Sequence, residues 1–242
     1  MAEPIKTIYS PYYDPNGWIQ IREADDSFFD DKPIVTDPVN GMIVNYSHYT
    51  KGFTKSYHKH SMSHAVYVID GVHRSESNEF GPGSLVLDPV GYACAHGATE
   101  DNDCKFIWIT NKAGDIQYLD KPVEKQLTNR KIEHYSAYSA EGWEKLSIGD
   151  AVVEIQRCIK DAETGASVSF VRIPAGMHIP TFELSCNSGI FIIRGSLGSD
   201  LFRLEENTFL WMPAGYRRTW NAGNQGCLLM LVENTEGKLT LI

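Results

Sequence analysis

Three histidines lie within seven residues of one another: His58, His60 and His64, in the stretch GFTKSYHKHSMSHAVYVIDG from Gly52 to Gly71. All three positions are even. Side chains two and four apart share a face of a β-strand, so an extended segment here is expected to aim the three imidazoles the same way. On a helix, His60 and His64 would meet but His58 would turn aside. The AVYVI that follows is β-branched and aromatic, which favours the strand. Neutral imidazole is a ligand for zinc, iron, nickel, copper and manganese. Further along comes GSLVLDPVGYACAH, Gly83 to His96, in which a strand and a Pro-x-Gly turn precede a fourth histidine. Pro presets φ and Gly permits positive φ. His96 is thereby expected on a neighbouring strand, where it would complete a metal site with His58, His60 and His64.

The elements that must hold these residues are strands. From Val35 to Trp108, short β-rich runs such as MIVNYSHY, HAVYVID and CKFIWIT alternate with Gly, Pro, Asn and Asp turns. That spacing suggests an all-β barrel or sandwich. Residues 1–35 carry four prolines and read as an N-terminal arm with one short strand, GWIQI. Residues 116–148 lie in a charged, less β-like region, read as a linker with one helical turn, and the β pattern resumes near residue 149.

Self-comparison adds a repeat. Moving along the chain by one constant interval places Gly52 on Gly176, Gly71 on Gly195, Pro89 on Pro213, Gly91 on Gly215 and Tyr92 on Tyr216, without a gap. The chain therefore reads as two copies of one module, residues 36–115 and 149–242. At the same interval His58 becomes Phe182, His60 becomes Leu184, His64 becomes Ser188 and His96 becomes Trp220. The second copy is expected to lack a metal. Since the fold does without these histidines there, their presence in the first copy reads as chemical. His178 and Glu183 are out of register and are not expected to bind metal.

Gly52-x5-His58-x-His60-x3-His64-x6-Gly71 resembles the first motif of the cupin superfamily, G-x5-H-x-H-x3-E-x6-G, with His64 at the glutamate position. Gly83-x5-Pro89-x-Gly91 with His96 is similar to the second motif, with two extra residues before the histidine. The resemblance implies two tandem cupin barrels of the RmlC-like jelly-roll type, a bicupin, with one divalent transition metal (Mn, Fe, Ni or Zn) in the first. It also implies a homodimer. The segment HAVYVIDG resembles bicupin ureidoglycine aminohydrolases, and acetylacetone-cleaving dioxygenases supply a three-histidine analogy.

Four neutral imidazoles leave the +2 charge of a divalent ion uncompensated, which favours an anionic ligand. An octahedral ion would keep two open positions, fewer than a two-point substrate and O2 need together. The leading reading is Lewis-acid chemistry (a hydrolase, lyase or isomerase) on a small anionic metabolite. One alternative is an Fe(II) dioxygenase of a dicarbonyl or enediol substrate, with His64 off the metal as a base. Another is a non-catalytic metal- or small-molecule-binding protein. Met62, Val66, Val68, Phe106 and Trp108 are expected in the core, with Tyr67 packed outside the barrel. Glu76 and Glu79 are expected on an exposed edge, and Arg217 and Arg218 on a solvated rim.

Composition narrows the partners. At 242 residues, 42% hydrophobic and 22% charged, the chain can bury ordinary cores. A net charge of −9 with no basic run argues against a nucleic-acid partner. No stretch approaches the roughly 20 apolar residues of a membrane helix, and the opening MAEPIKTIYSPYY carries no basic-plus-apolar leader pattern. Five cysteines, an odd number without a CxxC pair, suggest reduced thiols and a cytoplasmic setting. Cys94 reads as a barrel-wall thiol.

Overall fold

A computed structural model describes residues 7–23 and 25–242. The first strands are β1 (Ile8–Pro11), β2 (Ile19–Arg22), β3 (Phe28–Thr36), β4 (Ile43–Tyr49), β5 (Thr54–His60), β6 (His64–Gly71) and β7 (His73–Ser75). They are followed by β8 (Asn78–Phe80), β9 (Ser84–Asp88), β10 (Ala93–Ala98), β11 (Cys104–Thr110), β12 (Ile116–Tyr118) and β13 (Glu133–Ser136). The rest are β14 (Glu144–Ile148), β15 (Ala151–Lys160), β16 (Ser167–Ile173), β17 (His178–Leu184), β18 (Ser188–Gly198), β19 (Arg203–Leu204), β20 (Thr208–Met212), β21 (Arg217–Glu233) and β22 (Leu239–Leu241). Among the described residues no helix forms, so the fold is all-β and the helical turn expected within 116–148 is absent. That segment instead carries β12, β13 and β14, each paired to a longer strand.

The chain divides into two compact units. One spans residues 15–138, and the other joins the N-terminal residues up to Asp14 to residues 139–242. The arm is thus shared out. β1 pairs with β20 in the C-terminal unit, while β2 and β3 continue the sheet of β4 in the N-terminal unit.

In the N-terminal unit, a seven-stranded sheet runs β13-β9-β6-β11-β4-β3-β2 and a five-stranded sheet runs β12-β5-β10-β7-β8. Every pairing is antiparallel. Val66, Val68 and Phe106 from the larger sheet pack in one apolar cluster with Ala98 of the smaller one and with Phe53, which precedes β5. Met62 is fully buried as well, in the turn between β5 and β6. Tyr67, of opposite phase, is buried as well and lies outside that cluster.

In the C-terminal unit one sheet, ordered β1-β20-β18-β21-β16-β15-β14, surrounds an aliphatic core. β21 pairs with β16, β17 and β18 along its 17 residues. It occupies the repeat positions that in the first unit are split between β10 and β11. The repeated glycines have a backbone reason. Gly71 and Gly195 both take φ near +77° (+76° and +79°), and a Cβ at either would overlap a carbonyl oxygen, that of Asp103 or of Gly226. Only glycine fits such a position without strain.

Candidate metal centre

His58 and His60 both sit on β5 and are both buried, at 0% and 5% exposure. The period-two argument holds for this pair. It does not extend to His64, which lies on a different strand and in the other sheet. The intervening residues turn the chain. The Ser61 amide donates to the Asp115 carbonyl and the Ser61 hydroxyl accepts from the Asp115 amide, while the Ser63 hydroxyl accepts from the Val90 amide. His64 opens β6 and approaches the other two from the facing sheet, its ring 4.1 Å from that of His60, centre to centre.

His96 is on β10, beside β5, with its ring 4.9 Å from His58. The two strands slip register here. Cys94 lies opposite His58, but His96 lies opposite Lys55 rather than residue 56. An extra residue in one strand of an antiparallel pair re-aims its side chains. This bulge brings Lys55 onto the same face as His58 although the two are an odd number apart, and Lys55 is only 6% exposed.

His58, His60 and His96 form one cluster whose ring nitrogens lie within 4.8 Å of one another. The Nε2 atoms of His58 and His60 are 2.9 Å apart. Two imidazoles on adjacent positions of one ion, each at about 2.1 Å, would stand about 3 Å apart. His58 Nδ1 donates to the Ser56 carbonyl at 2.6 Å, which leaves Nε2 as the lone-pair nitrogen. His60 Nδ1 and His96 Nδ1 are buried without a protein partner. Burial pushes His58 down to about 4 and also lowers His60 and His96, with neighbouring imidazoles adding repulsion. All three are held neutral, the state in which imidazole binds a cation. The donor set fits a divalent transition metal.

His64 is not part of this nitrogen cluster, although its ring is 4.1 Å from that of His60. Its Nε2 is 3.3 Å from Asp88 Oδ2, off the line of a hydrogen bond, and both groups are almost fully buried. Its ring is 6.4 Å from that of His96. The remaining wall is polar on one side and aromatic on the other. A cavity of about 100 Å³ runs from His60 and His96 to Lys55, Asp31, Trp108 and Ile116. Lys55 is paired with Glu23, whose other oxygen accepts from the Tyr118 hydroxyl at 2.6 Å. Asp31 accepts from Ser47 and Asn45, and burial raises its pKa in spite of them. A fifth histidine, His73 on β7, is fully buried with its ring 5.5 Å from His96, and neither of its nitrogens has a protein partner.

Asp31, Lys55, His73 and Asp88 were not singled out by motif or parity. The repeat could have found them, because at the same interval they fall on Ile155, Ile179, Leu197 and Met212, all apolar. Other expected positions are as follows. Phe106 is core, and Trp108 is half-buried against His60 and His64. Glu76 and Glu79 are exposed, and Cys94 is a buried thiol whose pKa burial raises. In the second unit, Phe182, Leu184 and Trp220 line an apolar cavity, while Glu183 pairs with Arg217 and His178 contacts Asn221.

No protein-family model and no curated protein matches the chain. Solved structures do. A protein of Nostoc punctiforme described as a "putative dioxygenase" is 12% identical, with a TM-score of 0.81 over 99% of this chain and 87% of that one. Salicylate 1,2-dioxygenase of Pseudaminobacter salicylatoxidans is 11% identical, with a TM-score of 0.66 over 83% of this chain and 74% of its own. The coconut allergen cocosin is 10% identical, with a TM-score of 0.63 over 97% and 87%. An enzyme and a seed protein share these strands, so the likeness speaks to the fold. With its repeat, its antiparallel sheets and these neighbours, the chain is folded as a bicupin, two tandem cupin barrels of which the N-terminal one carries the histidine cluster.

Proposed function

We propose that the N-terminal barrel is the active site of a metal-dependent dioxygenase acting on a small anionic substrate. His58, His60 and His96 would hold one Fe(II). The observation that carries this reading is that the ring nitrogens of His58, His60 and His96 converge without those of His64, whose Nε2 faces Asp88. Three imidazoles leave an octahedral ion three further positions, enough for a two-point organic ligand together with dioxygen. This reverses the preference for Lewis-acid chemistry drawn from four ligands.

The chain's own residues supply the rest. His64 Nε2 faces the Asp88 carboxylate, so Nδ1, which has no protein partner, is the nitrogen that would take a proton from a substrate hydroxyl. Lys55 is the cation of the cavity wall but is already paired with Glu23, so the preference for an anion would come from the +2 charge that three neutral imidazoles leave uncompensated. Phe29, Phe106, Trp108 and Ile116 offer faces to a flat or apolar substrate and exclude water from it. Two of the structural neighbours are described as dioxygenases, and salicylate 1,2-dioxygenase has been seen with gentisate, while cocosin carries no such description.

The test is elemental analysis of untagged protein, followed by oxygen uptake with gentisate, salicylate and a panel of β-dicarbonyls. About one iron per chain with substrate-dependent uptake is the expected result. Metal without oxygen uptake on any of these anions would return the Lewis-acid reading. Failure to bind metal at all would leave a binding module.

A further inference from the structure

The metal-free barrel has its own cavity, of about 110 Å³. Its wall is aliphatic and aromatic, including Ile155, Val171, Ile190, Leu197, Met212 and Trp220. Ser188 aside, the polar side chains that reach it are Tyr216 and Arg218. These two are stacked, with the guanidinium carbon 4.5 Å from the centre of the Tyr216 ring. One guanidinium nitrogen, Nη1, donates to the Arg217 carbonyl at 3.0 Å. Nε of Arg218 and the hydroxyl of Tyr216 are buried without a protein partner. Arg217, next in the chain, is spent on Glu183 at 2.7 Å. Two adjacent donors, one of them charged, therefore face an otherwise apolar chamber.

We infer that the C-terminal barrel binds a small monocarboxylate, with its carboxylate on Arg218 and Tyr216 and its hydrocarbon body in the chamber. A buried donor pair of this kind favours an anion over a neutral oxygen, because charge-assisted hydrogen bonds are roughly twice as strong as neutral ones. The apolar wall selects a hydrocarbon body and disfavours a second charge, which would be buried unpaired. Size sets the length. An apolar cavity of about 150 Å³ accepts benzene, so this smaller one suits a chain of about three carbons. The site does not depend on the metal or on the chemistry assigned to the first barrel.

The probe is butanoate, titrated into the full-length protein by calorimetry, with butan-1-ol as the uncharged control. Methyl-labelled methionine reports through Met212 which barrel is filled. The expected result is saturable butanoate binding that shifts the Met212 methyl, with butan-1-ol at least about tenfold weaker, the ratio that one charge-assisted pair gives. Arg218→Gln should abolish the preference for the acid. Tyr216→Phe should weaken butanoate severalfold and leave the melting temperature close to the parent's, so that a folding defect in the arginine variant would not hide the answer. No butanoate binding at millimolar concentration, equal binding of the alcohol, or unchanged affinity in Arg218→Gln would each overturn the assignment.

Discussion

The ring nitrogens of His58, His60 and His96 cluster without those of His64, and this residue-level fact, on which the chemistry turns, divides their variants into two classes. His58→Ala and His96→Ala each remove one of three nitrogens and should bring bound metal well below one equivalent. Loss of a supporting group alone costs about 10–100-fold in affinity, and loss of a ligand should exceed that. His64→Ala should keep its metal and lose turnover. Elemental analysis of the three variants beside oxygen uptake decides it. Metal loss from His64→Ala as large as from His58→Ala would make His64 a fourth ligand and restore the two-open-position argument. His73 makes a different prediction. It is wholly buried with both nitrogens unpartnered, and burying an unsatisfied polar group costs about 1–3 kcal/mol. The repeat places Leu197 at the same position. His73→Leu should therefore raise the denaturation midpoint, by about 1 kcal/mol in stability, and leave metal content unchanged. A fall in both would show that His73 supports the centre. The four motif histidines were legible because identity and spacing mark them. Asp88, Lys55 and His73 were not, because a lone acid, lysine or histidine in a β-rich run has no spacing signature. Their character appears only against the apolar residues of the second copy.

At the scale of the strands, reading by parity succeeded within β5 and failed wherever the backbone departed from regular pleating. It joined His64 to the wrong strand because SMS reads as extended, and the turn there is fixed by Ser61 and Ser63 contacts to distant residues. It left Lys55 out because the bulge opposite His96 changes phase by one residue. The linker's short strands were missed for a related reason. β12 and β13 are 3 and 4 residues long and exist through pairing to β5 and β9, which composition does not report. The turn glycines were legible, and they carry unequal loads. Gly71→Ala must both hold left-handed φ and displace the Asp103 carbonyl, whereas at Gly176 a Cβ meets nothing within 4 Å. Left-handed φ costs a residue with Cβ about 1–2 kcal/mol. Gly176→Ala should cost about that much, and Gly71→Ala appreciably more, roughly 3 kcal/mol. Urea denaturation of the two variants tests the order. Equal costs would mean that the Asp103 carbonyl yields freely.

At the scale of the whole chain, the two barrels solve one packing problem with opposite chemistry, and this gives them opposite responses to acid. Seven of the eight histidines lie in residues 15–138, and the C-terminal unit has only His178, which is exposed. Burial pushes His58 and His73 down to about 4 from an ordinary value near 6.5, and lowers His60 and His96 as well. In the unfolded chain these imidazoles take up protons below about pH 6.5, while in the folded barrel His58 and His73 refuse them until about pH 4. The unfolded state then binds more protons, so stability rises with pH across this window and is lost as pH falls through it. Each such histidine adds a slope approaching about 1.4 kcal/mol per pH unit. Metal-free protein should therefore lose the N-terminal barrel first on acidification. Hydrogen exchange between pH 7 and 4.5 should show amides of β5, β6 and β10 losing protection while those of β16, β18 and β21 keep theirs. Added metal should move the loss to lower pH, because an ion held by neutral imidazoles competes with protons for the same nitrogens. Protection lost in both barrels together, or unchanged in the first, would mean that the buried imidazoles are not what sets the acid limit of this fold.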